Sequence, residues 1–333
     1  MTIFVCFLQG ILSFEVAVVD NFSIITIGLS PAWDVIYYGE RLCWGEHKLV
    51  SATKPQPAGK AMNISRALAW MEKRSIAAGL WGRDDAGQLR QAMLPLKKLV
   101  KLKMTFAGGE TRQNVTIVDT NRRSEMHLRL RSELASKKSL RKLEEDLRRI
   151  VRRNSICVFA GLMPEGKFFG EILWIAQSCR RRGAKIVVDT SGEALKKLVR
   201  SGLCWLIKPN VEELRELLGE RVADNHIGLA KAGWKLLDKV EIVLISRGEK
   251  GAIVVTRKGA WRCRAKGRRK VLSTVGCGDY LLAGFLKGLK SGAGADYALQ
   301  TAVQAATAKA WGWMERLTWQ QVRRKIEVDI RMI

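Results

Sequence analysis

From residue 24 onward, short apolar runs alternate with segments whose apolar positions recur every three or four residues. The runs at 23–29, 156–160, 185–189, 204–208, 242–246 and 252–256 are almost continuous Ile, Val, Leu and Cys. That is the pattern of strands buried on both faces. A further strand is predicted at 115–119. Helical periodicity marks 60–73, 139–153, 168–182, 210–218, 226–238, 279–290 and 295–312. Such strands alternating with amphipathic helices predict an α/β fold, a mostly parallel sheet with helices on both faces. Segments 33–53 and 104–130 read differently: polar, alternating and turn-rich, without helical periodicity. They are expected to form a small antiparallel flap, or lid, outside the main sheet. The reading is one domain over 24–333, preceded by an apolar extension over 1–23. Ligands of such sheets gather beyond the carboxyl ends of the strands.

The extension has no basic start, and Gln9 and Glu15 interrupt it, so an added strand or loose segment is expected rather than a signal peptide. No apolar run is long enough to span a bilayer. The seven cysteines are scattered without a CxxC pair, which fits free thiols in a reducing, cytoplasmic setting. None of the three histidines stands near a second plausible ligand, so a histidine-built metal site is not expected. The net charge of +26 changes the picture less than its size implies. In the basic stretch 137–153, Leu140, Leu143, Leu147, Ile150 and Val151 share one helix face, leaving its arginines as a solvated face. The stretch 262–270 follows Trp261 without further aromatic interleaving, and charge alone does not argue for nucleic acid.

The chemistry concentrates in STVGCGDYLLAGF at 273–285. Gly276 and Gly278 let the backbone turn its N–H groups outward, and the following helix start adds free donors and the positive end of a dipole. That is a seat for phosphate. A carboxylate beside an anion seat, Asp279, is out of place unless something cationic sits there or it works as a base, a pairing that suggests phosphoryl transfer to a hydroxyl. Other polar clusters follow predicted strands directly. SPAWD ends in Asp34, and PAGKAMNISRAL puts Gly59, Lys60 and Asn63 at a helix start. A lysine there opposes the dipole unless it serves an anion. KPNVEEL holds Asn210 and Glu213 at the spacing of a capping box, which alone explains them without function. The glycines of SRGEKG at 246–251 are likewise compatible with turn chemistry alone.

Taken in order, TIGLSPAWD, PAGKAMNISRAL, GETRQNVTIVD, AGLMPEG, VVDTSGEAL, IKPNVEEL, LISRGEKGA and STVGCGDYLLAGF resemble the PfkB branch of the ribokinase-like carbohydrate kinases. Within it the chain is most similar to the 1-phosphofructokinase and tagatose-6-phosphate kinase group. The resemblance runs from about Ile24 to about Gly312. It implies Asp279 as the base that takes the acceptor hydroxyl's proton. It implies Gly276, Cys277 and Gly278 as the anion hole for the transferring phosphoryl group. ATP is the implied co-substrate, held by Lys208, Asn210, Glu213, Ser246, Gly248 and Gly251. Glu213 would organise Mg2+ through its water shell. Asp34, Gly59, Lys60, Asn63, Arg112 and Asn114 are implied on the sugar side, with Arg112 binding the phosphate already on the substrate and Lys60 as its second cation. A homodimer through the lid is also implied by resemblance only.

The first expectation is therefore ATP-dependent conversion of fructose 1-phosphate to fructose 1,6-bisphosphate. Tagatose 6-phosphate or fructose 6-phosphate is the alternative acceptor. An alternative of another class is a weakly active relative that binds nucleotide or nucleic acid through its basic surface. The departures from the family lie on the acceptor side: Ser30 stands where Asn is usual, Ala58 and Ala61 replace glycines around Lys60, and Leu162 replaces a serine. Alanine at 58 or 61 would be strained if the loop needed a positive φ there. Cys277 replaces an alanine, a small change where the contacts are backbone N–H groups.

Overall fold

The computed structural model describes residues 24–122, 124–164, 166–267 and 269–333. The extension 1–23 lies outside the described residues. In chain order the first strands are β1 (Ile24–Gly28), β2 (Ala32–Gly39), β3 (Ser51–Ala52), β4 (Gln56–Ala58), β5 (Ser75–Gly82), β6 (Val100–Ala107), β7 (Gln113–Asp119) and β8 (Ser124–Arg129). They continue as β9 (Ile156–Ala160), β10 (Lys185–Asp189), β11 (Cys204–Ile207), β12 (Ile242–Ser246), β13 (Ala252–Thr256), β14 (Gly259–Ala265) and β15 (Val328–Met332). The first helices are α1 (Lys60–Trp70), α2 (Ala86–Met93), α3 (Lys137–Ile150), α4 (Phe169–Arg181) and α5 (Gly192–Arg200). Then come α6 (Val211–Leu218), α7 (His226–Trp234), α8 (Cys277–Leu289), α9 (Ala295–Ala310) and α10 (Trp319–Lys325).

The large sheet runs β15-β14-β13-β12-β11-β10-β9-β1-β5-β6. From β12 to β6 its neighbours are parallel, and β13 to β15 extend it antiparallel. The central strands bury both faces, which is why they read as unbroken apolar runs. Alternate residues feed two cores. Ile25 and Ile27 pack in one with Leu140, Leu143 and Leu147 of α3, while Ile24 packs in the other with α1, α8 and α9. The amphipathic reading of 137–153 therefore holds. Arg148 and Arg149 remain on the solvent side.

A second sheet, β3-β2-β7-β8 with β4 beside β2, stands apart as the lid. Its pairs are antiparallel except β2 with β7, which run parallel. Residues 104–107, grouped with the lid on sequence, belong instead to β6, which pairs with β5 at the edge of the large sheet. Lys101 and Lys103 give this strand the polar alternation of an edge, and that alternation mimics a flap.

Two details position the site. Thr26 Oγ1 and Ser65 Oγ lie 2.7 Å apart, and Ser75 donates to Ser65 at 3.2 Å, all buried. These hydroxyls lock α1 to β1 and β5, so the first turn of α1 projects at the strands' carboxyl ends. At the same ends, Gly79 has φ +125°, and a β-carbon there would lie 2.0 Å from the Gly28 carbonyl oxygen.

Candidate active site

A cavity of about 420 Å3 opens between the carboxyl ends of the strands and the lid. The lid supplies its far wall through strand register. Asp34 of β2 is paired with Asn114 of β7, which is paired in turn with Arg129 of β8. Asn114 Nδ2 donates to Asp34 Oδ1 at 2.7 Å, and Arg112 Nη1 donates to Asn114 Oδ1 at 2.6 Å. Arg112 also reaches the carbonyls of Leu130 and Ser30, while its Nε is buried without a hydrogen-bond partner. Burial and the neighbouring Arg129 lower the Arg112 pKa, with Asp34 opposing. Among the described residues neither arginine forms an ion pair, although both line the cavity. Arg112 is half-buried and Arg129 exposed, and two neighbouring cations without a counter-ion can seat an anion. Ser30 serves Arg112 through its backbone oxygen, so this contact does not depend on its side chain.

The near wall is the start of α1. Gly59 caps the helix with φ +99°, the one position of this loop that needs glycine. Ala58 is extended in β4, and Ala61 is helical and buried, so the strain considered for alanine at 58 or 61 does not arise. Lys60 does not turn to Arg112. Its Nζ donates to Asp189 Oδ1 at 2.9 Å, and Lys208 Nζ lies 3.3 Å from the same oxygen. Burial works against the Lys60 charge, but the Asp189 carboxylate outweighs it and its pKa is raised. The cation beside Arg112 in the cavity wall is Arg129, and the partner of Lys60 is Asp189. Neither residue was singled out from the sequence.

Between the walls lies the start of α8. Gly276 caps it in the left-handed region, φ +79°. The Asp279 and Tyr280 amides donate to the Gly276 carbonyl, each at 3.0 Å. Among the described residues the amides of Gly276 and Gly278 have no acceptor, so they are free for an anion. Lys208 flanks this turn: a β-carbon on Gly278 would lie 3.5 Å from its Nζ. Asp279 is only 4 % exposed. Burial, then the nearby Asp189 charge, push its pKa up to about 7, while the Asn63 hydrogen bond and the two lysines pull the other way. Asn63 Nδ2 donates to Asp279 Oδ2 at 2.8 Å. A carboxyl poised near neutrality beside free amides can take a proton from a hydroxyl held in the cavity. Cys277 points away: its thiol faces the Ser273 carbonyl at 3.6 Å, and burial raises its pKa.

Beyond the seat, Asn210 caps α6, and Asn210 and Glu213 form the reciprocal capping box that their spacing predicts. The box uses a single oxygen of the Glu213 carboxylate. It leaves Glu213 Oε1 unused, and Glu213 lines the cavity. Asn210 bridges to Ser246, whose amide donates to the Pro209 carbonyl at 3.0 Å. The turn carrying Gly248 and Gly251 is therefore held next to α6. Of the residues singled out from sequence, Cys277, Asn210, Ser246, Gly248 and Gly251 lie outside the cavity lining, and the others border it. No cluster of three metal-ligating side chains occurs among the described residues. Mg2+ keeps most of its waters and needs only one or two carboxylates plus substrate phosphates. The free oxygen of Glu213, which lines the cavity, fits that requirement.

The model of the pfkB family of carbohydrate kinases matches residues 21–310. The chain is 27% identical to the 1-phosphofructokinase of Haemophilus influenzae, covering 81% of this chain and 85% of that protein. It is 26% identical to the tagatose-6-phosphate kinase of Staphylococcus epidermidis, covering 80% and 85%. Its fold is similar to that of Escherichia coli phosphofructokinase-2 in complex with fructose-6-phosphate, with a TM-score of 0.82 at 22% identity over 92% of this chain and 98% of that one.

Proposed function

The chain belongs to the pfkB family of carbohydrate kinases, and we propose that it transfers the terminal phosphoryl group of ATP to a ketohexose monophosphate, fructose 1-phosphate first. The observation that carries this reading is the pair of unneutralised guanidiniums, Arg112 and Arg129, in the cavity that also contains Asp279. A neutral sugar accepts hydrogen bonds from the two guanidiniums but leaves their charge uncompensated. A sugar phosphate neutralises them and presents a hydroxyl at its other end to the carboxylate.

Asp34, Asn63 and Asn114 supply the donors and acceptors that hold the sugar hydroxyls. Asp279 takes the proton as the acceptor oxygen bonds to phosphorus and the bond from phosphorus to the ADP oxygen breaks. The amides of Gly276 and Gly278, with Lys208, hold the charge on the moving phosphoryl oxygens. Mg2+, when bound through water to Glu213, would neutralise the donor phosphates. The turn from Ser246 to Gly251 supports the nucleotide beside α6.

The furanose of a ketohexose carries a primary carbon at each end, so one cavity suits either fructose 1-phosphate or a 6-phosphate. The similarity to a tagatose-6-phosphate kinase keeps that sugar, and fructose 6-phosphate, as the second reading. A coupled ADP-release assay over a panel of sugar phosphates and neutral sugars tests both. Equal kcat/KM on fructose and on its phosphates would overturn the phosphosugar reading. A homodimer through the lid is supported by the exposed apolar residues Tyr38, Met126, Leu128 and Leu130 on β2, on β8 and just after it. Light scattering would then give twice the chain mass, and Leu128→Lys would reduce it to the monomer.

A further inference from the structure

Lys309 stands in the last turn of α9 and is half-buried. The dipole of α9 favours a lysine in that turn, which accounts for its charge but not for its direction. The side chain runs toward the start of α8, the positive end of another helix. A β-carbon placed on Gly276 would lie 3.5 Å from Lys309 Cε, and the ammonium lies 5.9 Å from the centre of the Tyr280 ring. Unlike Lys60 and Lys208, which share Asp189, Lys309 forms no ion pair with a described residue. The approach is also held from the other side: the amides of Leu272 and Ser273, leading into the seat, both donate to the Ala310 carbonyl.

A cation without a counter-ion, turned toward free amides of like polarity, is unfavourable unless an anion joins them. Lys309 does not border the cavity that holds Asp34, Asn63 and Arg112; it approaches that lining at Gly276, in the phosphoryl seat. Helix α9 packs against β13 and β14, the strands that follow the Ser246–Gly251 turn proposed above to support the nucleotide. We propose that Lys309 is a nucleotide-binding residue of this site, reaching past Gly276 to a phosphate oxygen of the bound nucleoside triphosphate. The inference rests on the kinase reading above for the identity of the anion. It makes the Gly276–Gly278 turn a point flanked by a fixed lysine, Lys208, at Gly278 and a free one, Lys309, at Gly276. The free ammonium can follow a phosphate that changes position between substrate and product.

The test compares Lys309→Met and Lys309→Arg with wild type, using ATP binding by calorimetry and steady-state kinetics varied separately in ATP and in sugar phosphate. Lys309→Met is expected to weaken ATP binding and raise its KM by about 10- to 100-fold, the range for one charge-assisted hydrogen bond. The KM for the sugar phosphate at saturating ATP stays within about threefold. Lys309→Arg recovers most of the ATP affinity, which a purely packing role would not produce. Unchanged ATP affinity in a Lys309→Met protein with wild-type circular dichroism overturns the proposal, as does a rise confined to the sugar-phosphate KM. The two readings separate in the binding experiment. If wild type binds ATP and the variant does not, while neither turns over any sugar, the proposal stands and the kinase reading falls. If wild type binds no ATP, both fall.

Discussion

The Asn63 side chain, in the first turn of α1, donates a 2.8 Å hydrogen bond to the carboxylate of Asp279 in the first turn of α8. One contact thereby joins the acceptor wall to the proposed base, and it opposes the burial that lifts the Asp279 pKa to about 7. A base works when ionised, so kcat should fall as pH drops through about 7. The acid limb should steepen to about tenfold per pH unit. Removing the donor in Asn63→Ala leaves burial less opposed and moves that limb to higher pH. A kcat profile from pH 5.5 to 9 checks both, and an unshifted limb in the variant would separate Asn63 from the titration.

Asp279→Asn should abolish turnover while ATP still binds, and it should make the protein more stable in neutral and alkaline solution. The sign follows from linkage. The folded-state pKa lies above the unfolded value of 3.8, so the stability that Asp279 contributes is fully present below 3.8 and lost as pH rises to about 7. Each pH unit in that window removes up to ~1.4 kcal/mol. The variant does not titrate there. Its melting temperature should exceed that of wild type most at pH 8, and the gap should close toward pH 4.5. Equal gaps at the two pH values would mean that the carboxyl is not buried as described.

Arg129→Ala should raise the KM for sugar phosphates about 10-fold or more, with a smaller effect on kcat, because it removes binding common to ground and transition states. The remaining Arg112 gains from losing a repelling neighbour, so its pKa rises and the loss is partial. The double change with Arg112→Ala should cost more than the product of the single effects. Steady-state kinetics on the three proteins measure this coupling.

Two glycine substitutions separate fold from seat. Gly79→Ala puts a β-carbon 2.0 Å from the Gly28 oxygen at a φ of +125°. It should cost more than ~3 kcal/mol and leave little soluble protein. Gly276→Ala meets only ordinary contacts, so it should fold at a cost of about 1 kcal/mol for its φ. Its methyl group stands at the anion seat, and kcat should fall about 10- to 1000-fold. Urea melts and turnover, measured side by side, give the contrast.

The central strands were legible because burial on both faces writes them as unbroken apolar runs. Strand β5 escaped because Ala77, Ala78 and Gly79 give it little hydrophobic weight, and β6 because an edge strand carries lysines. The antiparallel extension β14 and β15 is rich in charged residues whose pairing, such as Arg262 with Asp329, appears only across strands. Within the site, Asp279 and its glycines were readable since the whole device is local. Asp189 closes an apolar strand, but its tie to Lys60 spans 129 residues, a relation no short pattern encodes. Arg129 depends in the same way on the register of β8 with β7, which brings it opposite Asn114.

The shared grip of Lys60 and Lys208 on Asp189 sets a charge balance. With Asp279 ionised, the formal charges of these four groups cancel. With Asp279 protonated, the group carries one net positive charge. Incoming phosphates therefore bind more tightly to the protonated pocket and draw a proton into it, whereas turnover needs that proton gone. Affinity and rate should respond to pH in opposite directions, so that acidification lowers KM and kcat together and leaves their ratio flatter than either.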